Sequence, residues 1–383
     1  MPNVPSRKTP VFAATIAVIC AAVAAPSAMA SSGALPSEIL PYSPDSGFRR
    51  PIAARPRIDP RSRAIVARLR HNLSQNKALI TTEFDVPPVY VVRPSDPMLT
   101  VNVGGRDVRF RVPRRANAGS GQDRPLELLD PSSPTLGRDV ELRLYRASID
   151  RSSGRVNASG AGLFRYGPTG SGAPFLGHGT GSGLSLLNGL VRGRDVASGT
   201  IRHAIRFAYS SADFLPHAFR SPALSSDQPQ AGYTADPAGA MVMGMRLQLD
   251  PRVNCDARTV PGRADGSGQT RFLRILCHAL QRYGMIVADG TEPGVMVLQM
   301  ENVATAPWGG IIGSTNNGNY GFIIRDTTTP GDGLHRTSSS GIPWGRMRVI
   351  ALIEDPAAIR RILKHLGLLG GIVLPIGLRP ADT

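Results

Sequence analysis

The chain is poor in residues that bind metals or cofactors. It has three cysteines in 383 residues, and no C-x-x-C pair or Cys/His cluster has the spacing of a zinc site. The histidines at 217, 278 and 335 are scattered, and no H-E-x-x-H segment is present. We therefore expect neither a metal site nor a bound cofactor.

Motifs for nucleotide binding are also missing, as is one common hydrolase motif. No P-loop occurs, and no G-x-S-x-G segment forms a nucleophile elbow. GHGTGSG at 177–183 has glycine spacing similar to a dinucleotide fingerprint, but it does not connect a hydrophobic strand to a helix. The sequence therefore argues against a nucleotide-dependent enzyme, whereas a Ser-His-Asp triad of another type stays open.

Acidic residues are few compared with basic ones. The chain has 44 Lys and Arg against 28 Asp and Glu, a formal net charge of +16, and its arginines are densest at 49–70. Such a balance favours acidic partners, namely anionic glycans, cell-surface polymers or nucleic acid. The alternative is a solvated basic surface without a specific partner, and we expect no specific nucleic acid.

Only one long apolar run is present, and it lies at the N-terminus. Arg7 and Lys8 precede PVFAATIAVICAAVAA, and AMA follows as a small-x-small cleavage site. This pattern predicts a secretory signal peptide over 1–30, cleaved near Ala30. We expect an extracellular or periplasmic protein without a membrane span, and an uncleaved N-terminal anchor is the alternative.

Two cysteines remain once the signal peptide and Cys20 are removed. Export would place Cys255 and Cys277 in an oxidising compartment, where a single disulfide can form between them. Two buried free thiols are the alternative.

Short alternating segments separated by glycine and proline dominate the chain after residue 83 and are typical of strands. The best helical pattern is QTRFLRILCHALQRYG at 269–284, with apolar residues on one face and Gly284 as its stop. Many short strands with one packing helix predict a mainly β fold. We expect an antiparallel β-sandwich of the jelly-roll type, followed by a short helical C-terminal tail.

Changes in composition divide the chain into segments. A short amphipathic helix is predicted at 61–73, and MIVADGTEPGVMVLQME at 285–301 predicts a hairpin. The predicted segments are a signal peptide 1–30, a Pro/Arg-rich lead-in 31–82, a β-sandwich 83–304, a Gly/Ser/Thr-rich linker 305–345 and a C-terminal tail 346–383.

A histidine on an apolar strand face is the first candidate for catalysis. In GTIRHAIRFAY, at 199–209, alternate positions place His203 on the same face as Ile205 and Phe207. Imidazole titrates near working pH, so His203 could act as a general acid or base. The alternative is a buried, hydrogen-bonded structural histidine.

The opposite face of this strand carries Arg202 and Arg206, which could bind an anionic polymer as paired guanidiniums. The alternative for both is solvated surface charge. Arg246 and Gln248 repeat this polar face on another strand, so a ligand-binding face would exist if the two strands pair.

Three acidic residues are further catalytic candidates. Glu141 and Glu301 fall on predicted strands, and Asp289 falls at the predicted hairpin turn, where it could also be a simple turn residue. Two carboxylates flanking a glycosidic bond would make a glycoside hydrolase. The sequence does not show that any two of them approach each other.

Residues 41–304 resemble a family of secreted bacterial proteins without an assigned activity. The resemblance is carried by GLSLLNGLVRGRDVASGTIRHAIRFAY, MGMRLQLD and HALQRYGMIVADG, and it is specific over 183–290. It implies a β-sandwich with a carbohydrate-related role, and it also singles out His203. Leu224 and Ser225 stand where this family tends to carry Arg and His, and ENVATAPWGG replaces a segment rich in Asp and Trp. If those positions carry chemistry in the family, the resemblance implies an impaired copy here.

The tail resembles another kind of protein. VIALIEDPAAIRRILKHLGL, within 346–368, is similar to the C-terminal end of certain insertion-sequence transposases. It carries none of the catalytic residues of a transposase. The resemblance implies a secreted protein whose gene was fused to, or interrupted by, a mobile element.

Two hypotheses about function follow. The first is a secreted β-sandwich that engages extracellular or cell-envelope glycans, anionic or neutral, as a glycan-active enzyme or its degenerate relative. The second is a non-catalytic envelope protein whose basic surface binds anionic polymers. The sequence leaves the oligomeric state open.

Overall fold

The structure is a computed structural model. It describes residues 42–74, 78–227, 236–314, 318–326 and 340–351, and all of these fall within one compact unit. The predicted signal peptide and residues 352–383 of the predicted tail lie outside the described residues. Across the described ranges, no helix is both long and apolar enough to cross a membrane.

Helices are few in the part of the chain that the structure describes. The α-helices are α1 (Ser62–Leu73), α2 (Gly193–Ala197), α3 (Gly268–Arg282) and α4 (Trp308–Ile312). Single turns of 3₁₀ helix span Gly167–Thr169, Ser211–Asp213, Gly321–Ile324 and Trp344–Arg346.

Strands supply most of the regular structure and are numbered in chain order. The first ten are β1 (Ala78–Thr81), β2 (Val89–Val91), β3 (Met98–Val103), β4 (Arg106–Arg111), β5 (Leu126–Ser133), β6 (Gly137–Tyr145), β7 (Ser148–Asp150), β8 (Arg155–Asn157), β9 (Gly160–Arg165) and β10 (Pro174–Gly177). The others are β11 (Ile205–Ser210), β12 (Phe214–Phe219), β13 (Met241–Met243), β14 (Arg246–Leu249), β15 (Met285–Thr291), β16 (Met296–Gln299) and β17 (Met347–Ile350).

The largest sheet, called the large sheet below, has six strands in the order β1-β16-β11-β15-β14-β17. Strand β11 is parallel to β15 and antiparallel to β16. Along β11, Ile205, Phe207 and Tyr209 belong to one apolar cluster with Leu69 of α1 and Phe272 of α3. Because strand side chains alternate between faces, both helices pack on the face that these three residues share.

Two further sheets pack against each other. The middle sheet has five strands in the order β10-β9-β6-β5-β2, and the outer sheet has four in the order β4-β3-β8-β7. Leu128 and Leu142 of the middle sheet share an apolar cluster with Val101 and Phe110 of the outer sheet. Strands β12 and β13 pair separately.

The second face of the middle sheet meets the large sheet through polar groups. Glu141 lies between Val140 and Leu142 on β6, so it points away from the outer sheet. Its carboxylate accepts a hydrogen bond from Ser185, whose carbonyl oxygen in turn accepts one from Arg206 of β11. Buried charged residues therefore meet at this junction of the middle and large sheets.

The mainly β fold is confirmed, but two details of the prediction are wrong. The sheets are mixed, since β1–β16, β2–β5, β3–β8, β11–β15 and β12–β13 run parallel. The segment 285–301 is not a hairpin, because β11 lies between β15 and β16. A strand inserted from a distant part of the chain leaves no signal in the local turn.

The segment predicted as a linker contributes large apolar residues to the main fold where the structure describes it. Trp308 and Trp344 are both fully buried in the apolar cluster of the large sheet, together with Ile312 and Ile323. Strand β17 pairs with β14, so the predicted boundary at 346 does not separate a tail from the main fold. The Gly/Ser/Thr-rich composition hid a few large apolar residues that anchor this segment.

The predicted helix at 269–284 is confirmed. Helix α3 begins after Ser267, whose side chain accepts a hydrogen bond from the backbone N–H of Thr270. It ends before Gly284, whose φ of +72° suits the position that follows a helix. A disulfide joins Cys277 of α3 to Cys255, in the loop after β14.

Candidate functional site

Two neighbouring strands of the middle sheet place charged residues at the junction. Glu127 on β5 lies directly opposite Arg143 on β6, and Glu141 lies two residues before Arg143 on the same face. Glu127 and Glu141, called the carboxyl pair below, are both fully buried. Buried ionisable groups need partners, so the surroundings of this pair decide its charge.

The two carboxyl groups have different partners. Glu141 accepts hydrogen bonds from the Tyr42 hydroxyl, at 2.5 Å, and from the Ser185 hydroxyl. Burial raises the pKa of Glu141, although these hydrogen bonds oppose the rise. Burial, and then the charge of Glu141, raise the pKa of Glu127 well above the ordinary range. Neither carboxyl oxygen of Glu127 accepts a hydrogen bond from another described residue.

Arg206 connects the carboxyl pair to the surface. Its side chain is fully buried, and its guanidinium donates to Gln299 Oε1, to the carbonyl oxygens of Ser185 (3.0 Å) and Ala288 (3.1 Å), and to Asp289 Oδ2 (3.0 Å). The alternative interpretation of Arg206 as solvated surface charge is therefore wrong. A charge buried this deeply is held by one carboxylate and several neutral acceptors.

Asp289 lies on β15 rather than in the predicted turn, and its side chain is 25 % exposed. Asp227, in the segment after β12, is half-buried and accepts a hydrogen bond from the backbone N–H of Gly290 at 2.7 Å. Burial, followed by the negative charge of Asp289, raises the pKa of Asp227 to about 6.

Asp123, in the loop before β5, completes the group that we call the aspartate site: Asp123, Asp227 and Asp289. Burial, and then the charges of Asp85 and Asp289, raise the pKa of Asp123. Asp289 therefore interacts with both of the other aspartates. All three are half-buried and in contact with solvent, so the site combines perturbed carboxyl groups with access from outside.

Two glycines make room for Asp227. A Cβ atom at Gly181 would overlap both of its carboxylate oxygens, and one at Gly290 would lie 2.8 Å from Oδ2. Ser225 donates a hydrogen bond to the carbonyl oxygen of Gly181 at 2.8 Å. Ser225, one of the two positions that depart from the resembled family, therefore lies beside the aspartate site.

Substituting Gly181 with alanine is expected to push the Asp227 carboxyl group outward. Burial is the largest cause of its raised pKa, so the pKa should fall toward the ordinary value of about 3.9. Carbon-13 NMR titration of the carboxyl group measures this change. Gly266→Ala is the matched control, because nothing lies within 4 Å of a Cβ atom there. An unchanged Asp227 pKa in Gly181→Ala would contradict the packing described above.

His203 is buried, but it precedes β11 and is not on the strand as predicted. Its Nδ1 lies 2.8 Å from the carbonyl oxygen of Ala204, and its Nε2 lies 3.5 Å from Asp195 Oδ2. Burial alone would raise the pKa of Asp195, but the hydrogen bond and charge of His203 help to lower it. This geometry fits the structural alternative, in which His203 holds α2 against β11.

Two other predicted site residues, Glu301 and Arg202, are not part of the aspartate site. Glu301 forms a buried ion pair with Arg192 at 3.3 Å. Arg202 is exposed and precedes β11, so it does not form a pair with Arg206.

Arg246 and Gln248 lie on β14, and β15 separates them from β11. Arg246 donates to the carbonyl oxygens of Tyr283 and Arg50, and Gln248 donates to that of Gln281. Burial lowers the pKa of Arg246 to about 10. Both side chains therefore connect β14 to the end of α3, and Arg246 also connects it to the N-terminal segment. The predicted ligand-binding face shared with β11 does not form.

Among the described residues, no group of three or more His, Cys, Asp or Glu side chains has an arrangement suited to a metal ion. Comparison of the chain with models of known protein families finds no match, and searches among curated proteins and solved structures find none either. The case for a function therefore depends on the site itself.

Sequence reasoning missed several residues of the junction, and some of them left a signal. LELL and VELRLY, in β5 and β6, each place a glutamate among leucines or valines. Acidic residues at alternate positions of such apolar strands indicate a second face buried against polar groups. Asp227, in the polar segment SSDQPQAG, left no comparable signal.

Proposed function

We propose that the protein is exported and acts on extracellular or cell-envelope glycans, with the aspartate site as its acid–base centre. One observation carries this proposal: Asp227, with a pKa raised to about 6, lies beside Asp289, whose carboxylate is paired with buried Arg206. Two carboxyl groups whose surroundings differ in this way suit the two roles of acid and base.

The roles follow from the surroundings of each group. Asp227 retains its proton over part of the range in which ordinary aspartates are ionised, so it can donate that proton to a leaving glycosidic oxygen. Asp289, which pairs with the Arg206 guanidinium, can activate water or attack the sugar carbon on the other side. This chemistry requires two carboxyl groups and water.

Two further features support an exported glycan-binding protein. The middle and outer sheets share one apolar cluster, which favours a β-sandwich built from these two mixed sheets. The Cys255–Cys277 disulfide favours an oxidising compartment. The sandwich and the place of action are part of this proposal.

The test is a depolymerisation screen over neutral and anionic polysaccharides. Wild-type protein is compared with Asp227→Asn and with Asp107→Asn, a matched control that removes one carboxylate from exposed Asp107 on the outer sheet. The proposal expects products from the wild type and the control, and a large loss of product in Asp227→Asn. Turnover that survives unchanged in Asp227→Asn, or an absence of product with every polysaccharide, would count against it.

A second candidate function is binding of anionic polymers without turnover. The observation in its favour is a run of exposed arginines along the lead-in and α1, namely Arg50, Arg55, Arg57, Arg63 and Arg70. Exposed cations attract a polyanion at long range, and salt screens that attraction.

Retention on a sulfated-polysaccharide column tests this second function. The double variant Arg63→Gln/Arg70→Gln is expected to elute at lower salt than wild type, because it lacks two positive charges of α1. Arg114→Gln combined with Arg115→Gln is the matched control, because it removes two exposed charges after β4. Equal elution of the wild type and the double variant would argue against this basic surface as the binding site.

A further inference from the structure

The carboxyl pair has an unusual environment, because both of its members are fully buried at the junction of two sheets. The charged and titratable groups that interact with it come from several elements: Arg143 on β6, Arg206 on β11, Tyr42 in the N-terminal segment and Tyr166 after β9. If both carboxyl groups were ionised, two like charges would be held together away from water.

Hydrogen-bond donors are unequally divided between the two groups. Glu141 receives two hydroxyl donors, from Tyr42 and Ser185. Glu127 receives none from the described residues, although Arg143 lies directly opposite it. A buried carboxylate without any donor is expensive, whereas a protonated carboxyl group carries its own donor.

Neither of the nearby guanidiniums donates a hydrogen bond to Glu127. Arg143 Nη1 donates to the carbonyl oxygen of Gly179 at 2.9 Å, and its buried Nε has no hydrogen-bond partner among the described residues. Arg206 donates to Gln299, to two backbone carbonyl oxygens and to Asp289. Asp289 is therefore the carboxylate that Arg206 holds, and Glu127 is the carboxyl group without such a bond.

We propose that Glu127 is kept as a neutral acid that donates its proton to a hydrogen bond with the Glu141 carboxylate, and that it thereby positions the aspartate site by leaving Arg206 to Asp289. Glu127 makes no contact with substrate in this arrangement. It acts through Arg206, because an ionised Glu127 would compete with Asp289 for the guanidinium. The positioning part rests on the proposed function, but the existence of the shared proton does not.

The shared proton gives stability a definite pH dependence. The pKa of Glu127 is higher in the folded protein than in the unfolded chain, where it is about 4.3. The folded state therefore binds an extra proton above that pH. The contribution to stability is complete below about pH 4.3, and it is lost as pH rises toward the folded pKa, by up to about tenfold in the folded-to-unfolded ratio per pH unit.

Glu127→Gln tests the proposal because its neutral amide keeps a donor for Glu141 at any pH. Urea unfolding is measured between pH 5 and 9 for the wild type and the variant. We expect the wild type to lose stability as pH rises and Glu127→Gln to have a flatter profile over the same range. Identical slopes in the two proteins would overturn the shared proton.

The Asp227 carboxyl group reports on the positioning role, because the charge of Arg206 lowers its pKa. In Glu141→Gln, Glu127 loses its charged acceptor, ionises and competes for Arg206, so the pKa of Asp227 should rise. In Glu127→Gln it should stay near 6. Equal Asp227 titrations in both variants would overturn the positioning role.

A measurement on the wild type covers the case in which a variant does not fold. The carbon-13 shift of the Glu127 carboxyl group at pH 7 should be that of a neutral acid, and the shift of an ionised carboxylate would overturn the proposal. None of these measurements depends on turnover. A failure of the glycan screen can therefore be told apart from a failure of this inference.

Discussion

Replacing Asp227 with asparagine is expected to lower the turnover of a hydrolysed glycan by about 100- to 10,000-fold, the usual contribution of a general acid. Asparagine has nearly the same shape but has no proton to donate to the leaving oxygen. The rate constants of wild type and Asp227→Asn on one substrate from the screen measure this loss. Asp107→Asn should leave the rate unchanged.

The pH dependence of the hydrolysis rate shows whether a variant has lost its general acid or has failed to fold. If Asp227 donates a proton, the wild-type rate falls as pH rises through about 6, because the proton is then lost. Asp289→Asn removes the neighbouring negative charge. This removal favours ionisation of Asp227 and therefore lowers the pKa of Asp227. Any residual activity of Asp289→Asn should therefore fall at a lower pH, and an unchanged profile would contradict the coupling.

Replacing Arg206 with methionine is expected to lower the free energy of unfolding by about 3–5 kcal/mol, the usual result of breaking a buried ion pair. Methionine fills much of the volume, but it leaves Gln299, two carbonyl oxygens and Asp289 without their donor. Urea unfolding at pH 7 measures the change.

Arg202→Met is the matched control for this prediction. Arg202 belongs to the same segment and is exposed, so its loss should change stability by less than about 0.5 kcal/mol. Adding Asp289→Asn to Arg206→Met should recover part of the loss, because no unpaired carboxylate remains. Equal stability of the Arg206 and Arg202 variants would contradict the buried junction.

Local patterns predicted the elements that local physics determines. Helix α3 was predicted with its end at Gly284, because the apolar stripe along one helix face and the glycine that follows the helix are both visible in the local sequence. Along β11, alternation correctly separated Ile205 and Phe207 from Arg206. It could not reveal what covers the second face, so it missed the burial of Arg206.

Strand order and the site depend on contacts between distant residues. Nothing in 285–301 indicates that β11 inserts between β15 and β16, because the partner comes from another part of the chain. Asp289 was considered from the sequence, but its neighbour Asp227 was not, since a polar loop does not show which surface it meets. The burial of Trp308 and Trp344 was missed for a related reason. The average composition of a Gly/Ser/Thr-rich segment does not reveal that single large residues within it pack into the core.

The aspartate site is tested most directly by titrating the Asp227 carboxyl group with carbon-13 NMR, in wild type, Asp289→Asn and Asp107→Asn. We expect a midpoint near pH 6 in the wild type and in Asp107→Asn, and a lower midpoint in Asp289→Asn. An Asp227 that titrates near 3.9, whatever occupies position 289, would contradict this expectation, because the aspartate site would then have no group suited to donate a proton.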